Sequence, residues 1–247
     1  MKLSAGSERR SRLVTSILAR LSIWALLGML LAAPPARAAE LTQVETRWLE
    51  GIWPVVRFAK EAKLPLDIIV QPQDAPDAAP LALGFVDGRC KLVLSMRGNP
   101  EAEATLDRIA PELLDATLEL MAAHELGHCR RYLDGTWFGR AAAFTGDEPA
   151  NLDPKLRAAY RTMRAVRREE AYADLVGLGW TRQRHPRAYL RLHAWLVEER
   201  ERDLVPGGHH DTLLWIRLAA DGDALADLSI FAAAARLWQA GLATDRD

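Results

Sequence analysis

Two histidines four residues apart lie on the apolar face of one predicted helix. Because each helical residue advances by about 100°, the apolar positions of residues 111–133 form a single stripe. That stripe contains His124, Glu125 and His128 together with Leu114, Thr117, Leu118 and Met121. A surface helix would turn such polar residues towards water. This segment instead carries two imidazoles and a carboxylate into the core of its fold.

The spacing of the two histidines suits a metal ion. Side chains at positions i and i+4 lie one turn apart, so His124 and His128 can both reach one Zn²⁺ about 2 Å from each ring nitrogen. Glu125 projects beside that position, where it can take a proton from a water that zinc has made acidic. Gly127 leaves room for another backbone to approach closely. A chance HExxH sequence on a helix is the alternative.

A catalytic zinc site needs a third protein ligand and one open position. In the segment RREEAYADLVGLGW, Glu170 and Asp174 share a helical stripe with apolar residues. Because a buried carboxylate needs a partner, we predict Glu170 as the third ligand and Asp174 as the acceptor that orients a ligand histidine. The alternative is that this segment is a charged surface helix whose acids pair with nearby arginines. Glu169 fits that alternative.

Asp134 is a second candidate for the third ligand. It stands six residues after His128, where the HExxHxxGxxH pattern carries its last ligand. That pattern needs a glycine three residues after His128 to end the helix, but Arg131 occupies the position and the first glycine is Gly135. The sequence therefore favours Asp134 as the polar end of the helix.

Residues 1–38 have the pattern of a secretory signal peptide. A basic start precedes an apolar run at 21–33 that is short for a membrane span, and Ala36 and Ala38 fit a cleavage site. We expect a periplasmic or secreted chain; an uncleaved N-terminal anchor is the alternative. Residues 39–247 are net negative, which argues against nucleic-acid binding, and they contain no long apolar run that predicts a membrane span.

Residues 39–247 predict a single domain of the α+β class, mostly helical. LDIIVQ and KLVLSM are predicted strands, and a proline-rich loop separates them. Apolar spacing predicts helices at 41–64, 111–133, 154–182, 186–202 and 224–241, with Pro54 as a potential break in the first. Strands followed by helices favour the α+β class. Cys90 and Cys129 either form a disulfide or remain buried thiols, and the sequence does not decide between these.

The two motifs together resemble those of the gluzincin metallopeptidases. HELGH at 124–128, followed by EAYAD at 170–174, is similar to the HtpX and CAAX-prenyl-protease group and its small soluble relatives, whose second motif is E-x-x-A-D. The resemblance covers residues 111–182. It implies a zincin-like fold with a small β-sheet, and zinc held by His124, His128 and Glu170. It also implies Glu125 as general base and Asp174 behind the ligands. The several transmembrane helices of the membrane-embedded members are not predicted here.

A looser likeness extends to GGHHDTLLWIRLA at 207–219. Members of the group often carry a histidine and then an arginine, which would correspond to His210 and Arg217, although Asp211 stands where a proline is expected. The likeness implies that His209 or His210 stabilises the oxyanion of the reaction; a solvated turn is the alternative. Zincins also bind substrate along a sheet edge, for which the strand at 90–96 is the candidate, with a core strand as the alternative.

These features predict an exported zinc metallopeptidase that acts on a peptide or protein substrate, with Glu125 and His210 as catalytic residues. The rival is a non-catalytic exported zinc-binding or interaction domain. Its metal site would be closed by a fourth ligand from among His193, His209 and Asp134. A helical partner-binding domain without metal is the third possibility.

Overall fold

A computed structural model describes residues 40–73, 75, 78–135, 153–202, 204–226 and 228–245. Within these ranges, no helix is both long and apolar enough to cross a membrane. The described residues from Thr42 onward belong to one compact unit. The predicted signal peptide lies outside the described residues.

The described chain is mostly helical and contains a small mixed sheet, which confirms the predicted α+β class. In chain order, the helices and strands are α1 (Gln43–Glu61), β1 (Leu66–Pro72), β2 (Leu81–Val86), β3 (Arg89–Arg97), α2 (Pro100–Arg108), α3 (Leu114–Leu133), α4 (Arg157–Arg184), α5 (Tyr189–Arg202), α6 (Leu213–Leu218) and α7 (Ile230–Leu242). Single 3₁₀ turns lie at Pro111–Leu113 and Asp223–Leu225.

The predicted helices are all present, with shifted ends. The first helix is α1, which begins behind a capping box of Thr42 and Glu45 and continues through Pro54. The prediction at 224–241 begins too early, because a 3₁₀ turn precedes α7. Two short helices, α2 and α6, were not predicted from apolar spacing.

The sheet has the strand order β1-β3-β2, with β3 parallel to β1 and antiparallel to β2. The expectation that the strand at 90–96 forms a free edge is therefore wrong, because β3 is paired on both sides. The sequence reading also missed β2, which turns into β3 through Asp87 and Gly88. Both turn residues have positive φ, as a two-residue hairpin requires.

A disulfide joins the sheet to the helix that carries the histidine pair. Cys90 in β3 and Cys129 in α3 are bonded, with their Cα atoms 5.6 Å apart, which answers the question that the sequence left open. The bond closes a loop of 39 residues. In the chain-entropy account, such a loop contributes about 4 kcal/mol by restricting the unfolded chain. Because Cys129 directly follows His128, this tie also holds the histidine pair against the sheet.

Helices α3 and α4 pack so closely that backbone meets backbone. A Cβ atom at Gly127 would lie 2.7 Å from the Ala173 Cα, and one at Gly177 would lie 3.0 Å from the carbonyl oxygen of Leu120. Glycine at these positions therefore allows the close approach expected of Gly127. The contact brings the start of the EAYAD segment alongside the histidine pair.

The packing predicts different effects on stability for two glycine substitutions. Gly127→Ala should lower the free energy of unfolding by about 1–3 kcal/mol, because the added methyl group pushes α3 away from α4. Gly179→Ala is the matched control, since its Cβ would meet its nearest neighbours at 3.5 Å, an ordinary contact. Alanine there should be neutral, or stabilising by up to about 1 kcal/mol. Urea unfolding followed by circular dichroism measures both; equal effects would contradict the packing argument.

Candidate metal centre

Three side chains from α3 and α4 converge at one point. The Nε2 atoms of His124 and His128 lie 3.1 Å apart. The carboxylate of Glu170 has one oxygen 3.3 Å from the His124 Nε2 and the other 3.4 Å from the His128 Nε2. Among the described residues, these two histidines and one glutamate form a group with the spacing to hold a metal ion. The helices thus bring together the three predicted ligands.

The separations within this group, which we call the ligand triangle, are close to those of a tetrahedral zinc site. Ligands 2.0–2.1 Å from zinc at tetrahedral angles are about 3.3–3.4 Å from one another. The two Nε2 atoms are 3.1 Å apart, and each of them lies 3.3 or 3.4 Å from a different Glu170 oxygen, close to that value. One ligand atom from each of the three residues lies within 4.8 Å of the others. Two imidazoles and one carboxylate form a donor set that catalytic zinc sites use. The donor set and its spacing therefore fit a zinc ion.

Asp174 lies behind the triangle and is fully buried. Its carboxylate is 2.9 Å from the Nδ1 of His124, so a proton on Nδ1 leaves the His124 Nε2 directed at the triangle. Arg200 donates to both oxygens of Asp174, from Nε at 2.9 Å and from Nη2 at 2.5 Å. Thr212 donates a further hydrogen bond at 2.6 Å. These donors keep the carboxylate charged in the core, in the position expected for it.

Glu125 faces the same cavity as the three candidate ligands. Among the described residues it has no hydrogen-bond or ion-pair partner, whereas Glu170 and Asp174 each have several. Burial raises the pKa of Glu125 to about 7. A carboxylate with a pKa close to neutrality, open to the cavity, is suited to accept and return a proton.

The other groups have pKa values set by burial and by one another. Burial, together with the nearby charge of His124, lowers the pKa of His128 to about 4. Burial also opposes the charge on His124, but hydrogen bonds to Asp174 and Glu170 outweigh it and raise the pKa to about 10. Burial likewise opposes charge on Glu170, yet the bond to His124 lowers its pKa to about 2. Glu170 and Asp174 thus stay ionised and favour a positive charge near them, which a divalent cation would supply.

The histidines after the motif helices have different positions. His210 lines the cavity with its side chain 57% exposed, and its Nε2 is 3.9 Å from a Glu170 oxygen. His209 packs against His210 and is exposed. His193 is 2.9 Å, through Nε2, from the carbonyl oxygen of Ile216. Neither His193 nor His209 joins the three-residue group within the described residues.

Three charged residues considered in the sequence analysis lie outside the candidate ligand group. Asp134 follows the last residue of α3 and pairs with Arg130 at the surface, so the alternative ligand assignment is wrong. Arg217, the arginine of the looser motif likeness, is exposed, lies 4.0 Å from Glu201 and is not among the residues that line the cavity. Glu169, expected in a surface ion pair, is buried and receives two hydrogen bonds from Arg131 at 2.5 and 2.6 Å.

The cavity in front of the triangle has a volume of about 370 Å³. Side chains of β2, α3 and α5 line it, and β2 supplies the sheet edge that had been expected from the strand at 90–96. Sequence reasoning missed Arg200, Thr212 and β2. Arg200 lies four residues after Leu196 and eight after Leu192, both buried, so a charge on an apolar stripe could have indicated it. Thr212 gives no such signal.

A scan of protein-family models and searches of curated proteins and of solved structures find no match to this chain. The geometry of the chain's own residues is therefore what bears on its function.

The hydrogen bonds at Asp174 predict that this residue controls metal affinity. Asp174→Asn should weaken zinc binding by about 10- to 100-fold, because an amide cannot fix the His124 tautomer or balance Arg200. Competition with a chromophoric chelator measures the affinity. Asp134→Asn is the matched control, since Asp134 lies outside the triangle, and it should leave affinity unchanged. Equal affinities in both variants would contradict the assigned role of Asp174.

Proposed function

We propose that this chain is an exported zinc-dependent metallopeptidase that hydrolyses peptide bonds. The observation that carries the proposal is the convergence of His124, His128 and Glu170 at zinc-ligand spacing, with Glu125 facing the same cavity. The resemblance of HELGH and EAYAD to the gluzincin motifs agrees with this arrangement. The proposal would assign to the chain both a metal cofactor and a peptide or protein substrate.

The proposed chemistry divides among a few side chains. A bound zinc ion would act as a Lewis acid that polarises the substrate carbonyl and makes water a stronger acid. Glu125 accepts a proton from the attacking water and returns it to the leaving amine, which its pKa of about 7 allows in both directions. His210, at the rim of the cavity, is placed to donate a hydrogen bond to the substrate oxygen as negative charge develops there.

Two features support an exported location. Residues 1–38 have the pattern of a signal peptide. The Cys90–Cys129 disulfide is of a kind that persists in oxidising compartments such as the periplasm or the extracellular space. The proposed location is therefore periplasmic or secreted after cleavage of the signal, with an N-terminal anchor as the alternative.

A non-catalytic zinc-binding domain is the second candidate, favoured by the buried network around Asp174, which would serve a structural metal equally well. Structural zinc sites are closed by four protein ligands, whereas catalytic sites keep one position open. Within the described ranges, the candidate group contains three residues and opens onto a cavity. That difference favours the peptidase.

Loss of the third ligand should remove the metal. The wild-type protein, purified without chelator, should contain about one zinc per chain, and Glu170→Ala should lose most of it because two histidines alone bind zinc weakly. Elemental analysis measures the content. EDTA should lower the melting temperature of the wild type far more than that of the variant. Equal zinc in both proteins would overturn the ligand assignment.

Glu125→Gln separates metal binding from catalysis. The variant should keep its zinc, because Glu125 is not in the ligand triangle, and should hydrolyse casein at least about 100-fold more slowly because the general base is lost. Full activity in this variant would overturn the proposed mechanism. Zinc-loaded wild type that cleaves neither casein nor any member of a peptide library would instead support the non-catalytic candidate.

A further inference from the structure

The cavity at the candidate metal centre extends into an apolar region that the proposed proton transfers do not use. Three elements form its walls: β2, the middle of α3, and α5. The apolar side chains that define it are Leu81, Leu83, Leu120, Met121, Trp195 and Leu196. Of these, Leu83, Met121 and Trp195 are only partly buried, so they present apolar surface to whatever enters. We call this set the apolar subsite.

The apolar subsite adjoins the polar groups directly. Met121 lies one helical turn before His124 on the same face of α3. On α5, Leu196 lies one turn before Arg200, which holds Asp174. The apolar walls are thus about one side-chain width from the ligand triangle, where the residues flanking a reacting peptide bond would lie.

The edge strand β2 gives a bound peptide a defined direction. The Pro80 carbonyl accepts a hydrogen bond from the Ser95 amide, so alternate β2 residues bond to β3 and the backbone groups of Leu81 and Leu83 face outward. The side chains of Leu81 and Leu83 share the sheet face of β3 that bears Cys90, which is bonded to α3. A peptide added at this edge would therefore direct every second side chain towards α3 and into the cavity.

We propose that the apolar subsite selects the substrate by accepting one large apolar side chain, such as leucine, methionine or phenylalanine, beside the bond that is cut. This inference rests on the proposed function. Burial of such a side chain against apolar walls releases water from both surfaces. A carboxylate group there would lose its hydration without gaining a donor from the apolar walls, because Arg200, the neighbouring base on α5, is already bonded to Asp174.

Binding measured without turnover tests the preference. The probes are Gly/Ser-based decapeptides that differ in one central residue, titrated calorimetrically into the zinc-loaded Glu125→Gln protein. The leucine peptide should bind about 10- to 100-fold more tightly than the alanine peptide, and the glutamate peptide more weakly than either. Equal affinities for all three peptides, or no binding of any, would overturn the inference.

A charge placed in the subsite should change the preference. Met121→Lys, made in the same Glu125→Gln background, should weaken binding of the leucine peptide and strengthen binding of the glutamate peptide, because an ammonium group now faces the cavity. Gained affinity cannot arise from misfolding. Leu190→Lys is the matched control, since Leu190 lies on α5 outside the cavity with 67% of its surface exposed. A preference unchanged by Met121→Lys would place the selecting surface elsewhere and overturn the inference.

The two proposals fail in different ways. Selective binding of the leucine peptide by a wild type that hydrolyses nothing would support the apolar subsite and overturn the peptidase. Hydrolysis of all peptides at one rate, whatever their central residue, would support the peptidase and overturn the apolar subsite.

Discussion

The contact between the backbones of α3 and α4 at Gly127 is the constraint on which the candidate site depends. The histidine pair and Glu170 are on different helices, so their separation is set by how closely those helices approach. A side chain at Gly127 would meet the Ala173 backbone, and a wider spacing would open the 3.3 Å and 3.4 Å gaps to Glu170 beyond what one zinc ion can bridge. The Cys90–Cys129 bond then ties α3 to the sheet on its other side.

Charge balance in the core explains why so many polar groups gather behind the metal site. Glu170 and Asp174 together bring two negative charges into a region from which water is largely excluded. Arg200 offsets one of them through its paired hydrogen bonds to Asp174. The remaining charge is shared with the imidazoles, and a divalent cation would neutralise it more fully than the proton on His124 does. The same network that orients His124 therefore also makes the site attractive to a cation.

Periodicity within single helices predicted most of the candidate site, because the positions of ligands along a helix are local information. His124, His128, Glu170 and Asp174 each interrupt an apolar stripe, and the structure brings the first three together around one point. Arg200 interrupts the stripe of α5 in the same way but was overlooked, because motif spacing suggested Arg217 instead. Periodicity is the better guide here, since a stripe reports which face of the helix is buried, whereas spacing borrowed from another group does not.

The features that the sequence did not reveal depend on contacts between distant segments. β2 is short and contains Gly84, so its strand pattern is weak; only the Asp87–Gly88 turn indicates a hairpin. Which strand becomes the edge is then decided by pairing, since β3 accepts β1 on one side and β2 on the other.

That pairing has a functional consequence, because it makes β2 rather than β3 the edge strand that lies beside α3, where Phe85 stacks on Tyr132 of the motif helix. The cavity between β2, α3 and α5 is thus a product of sheet order. On α3 and α5 its apolar residues lie one turn from its polar residues, whereas Glu170 and Asp174 come from α4. A change in that sheet order would leave the metal ligands in place but remove the edge strand, which is one of the three walls of the apolar subsite.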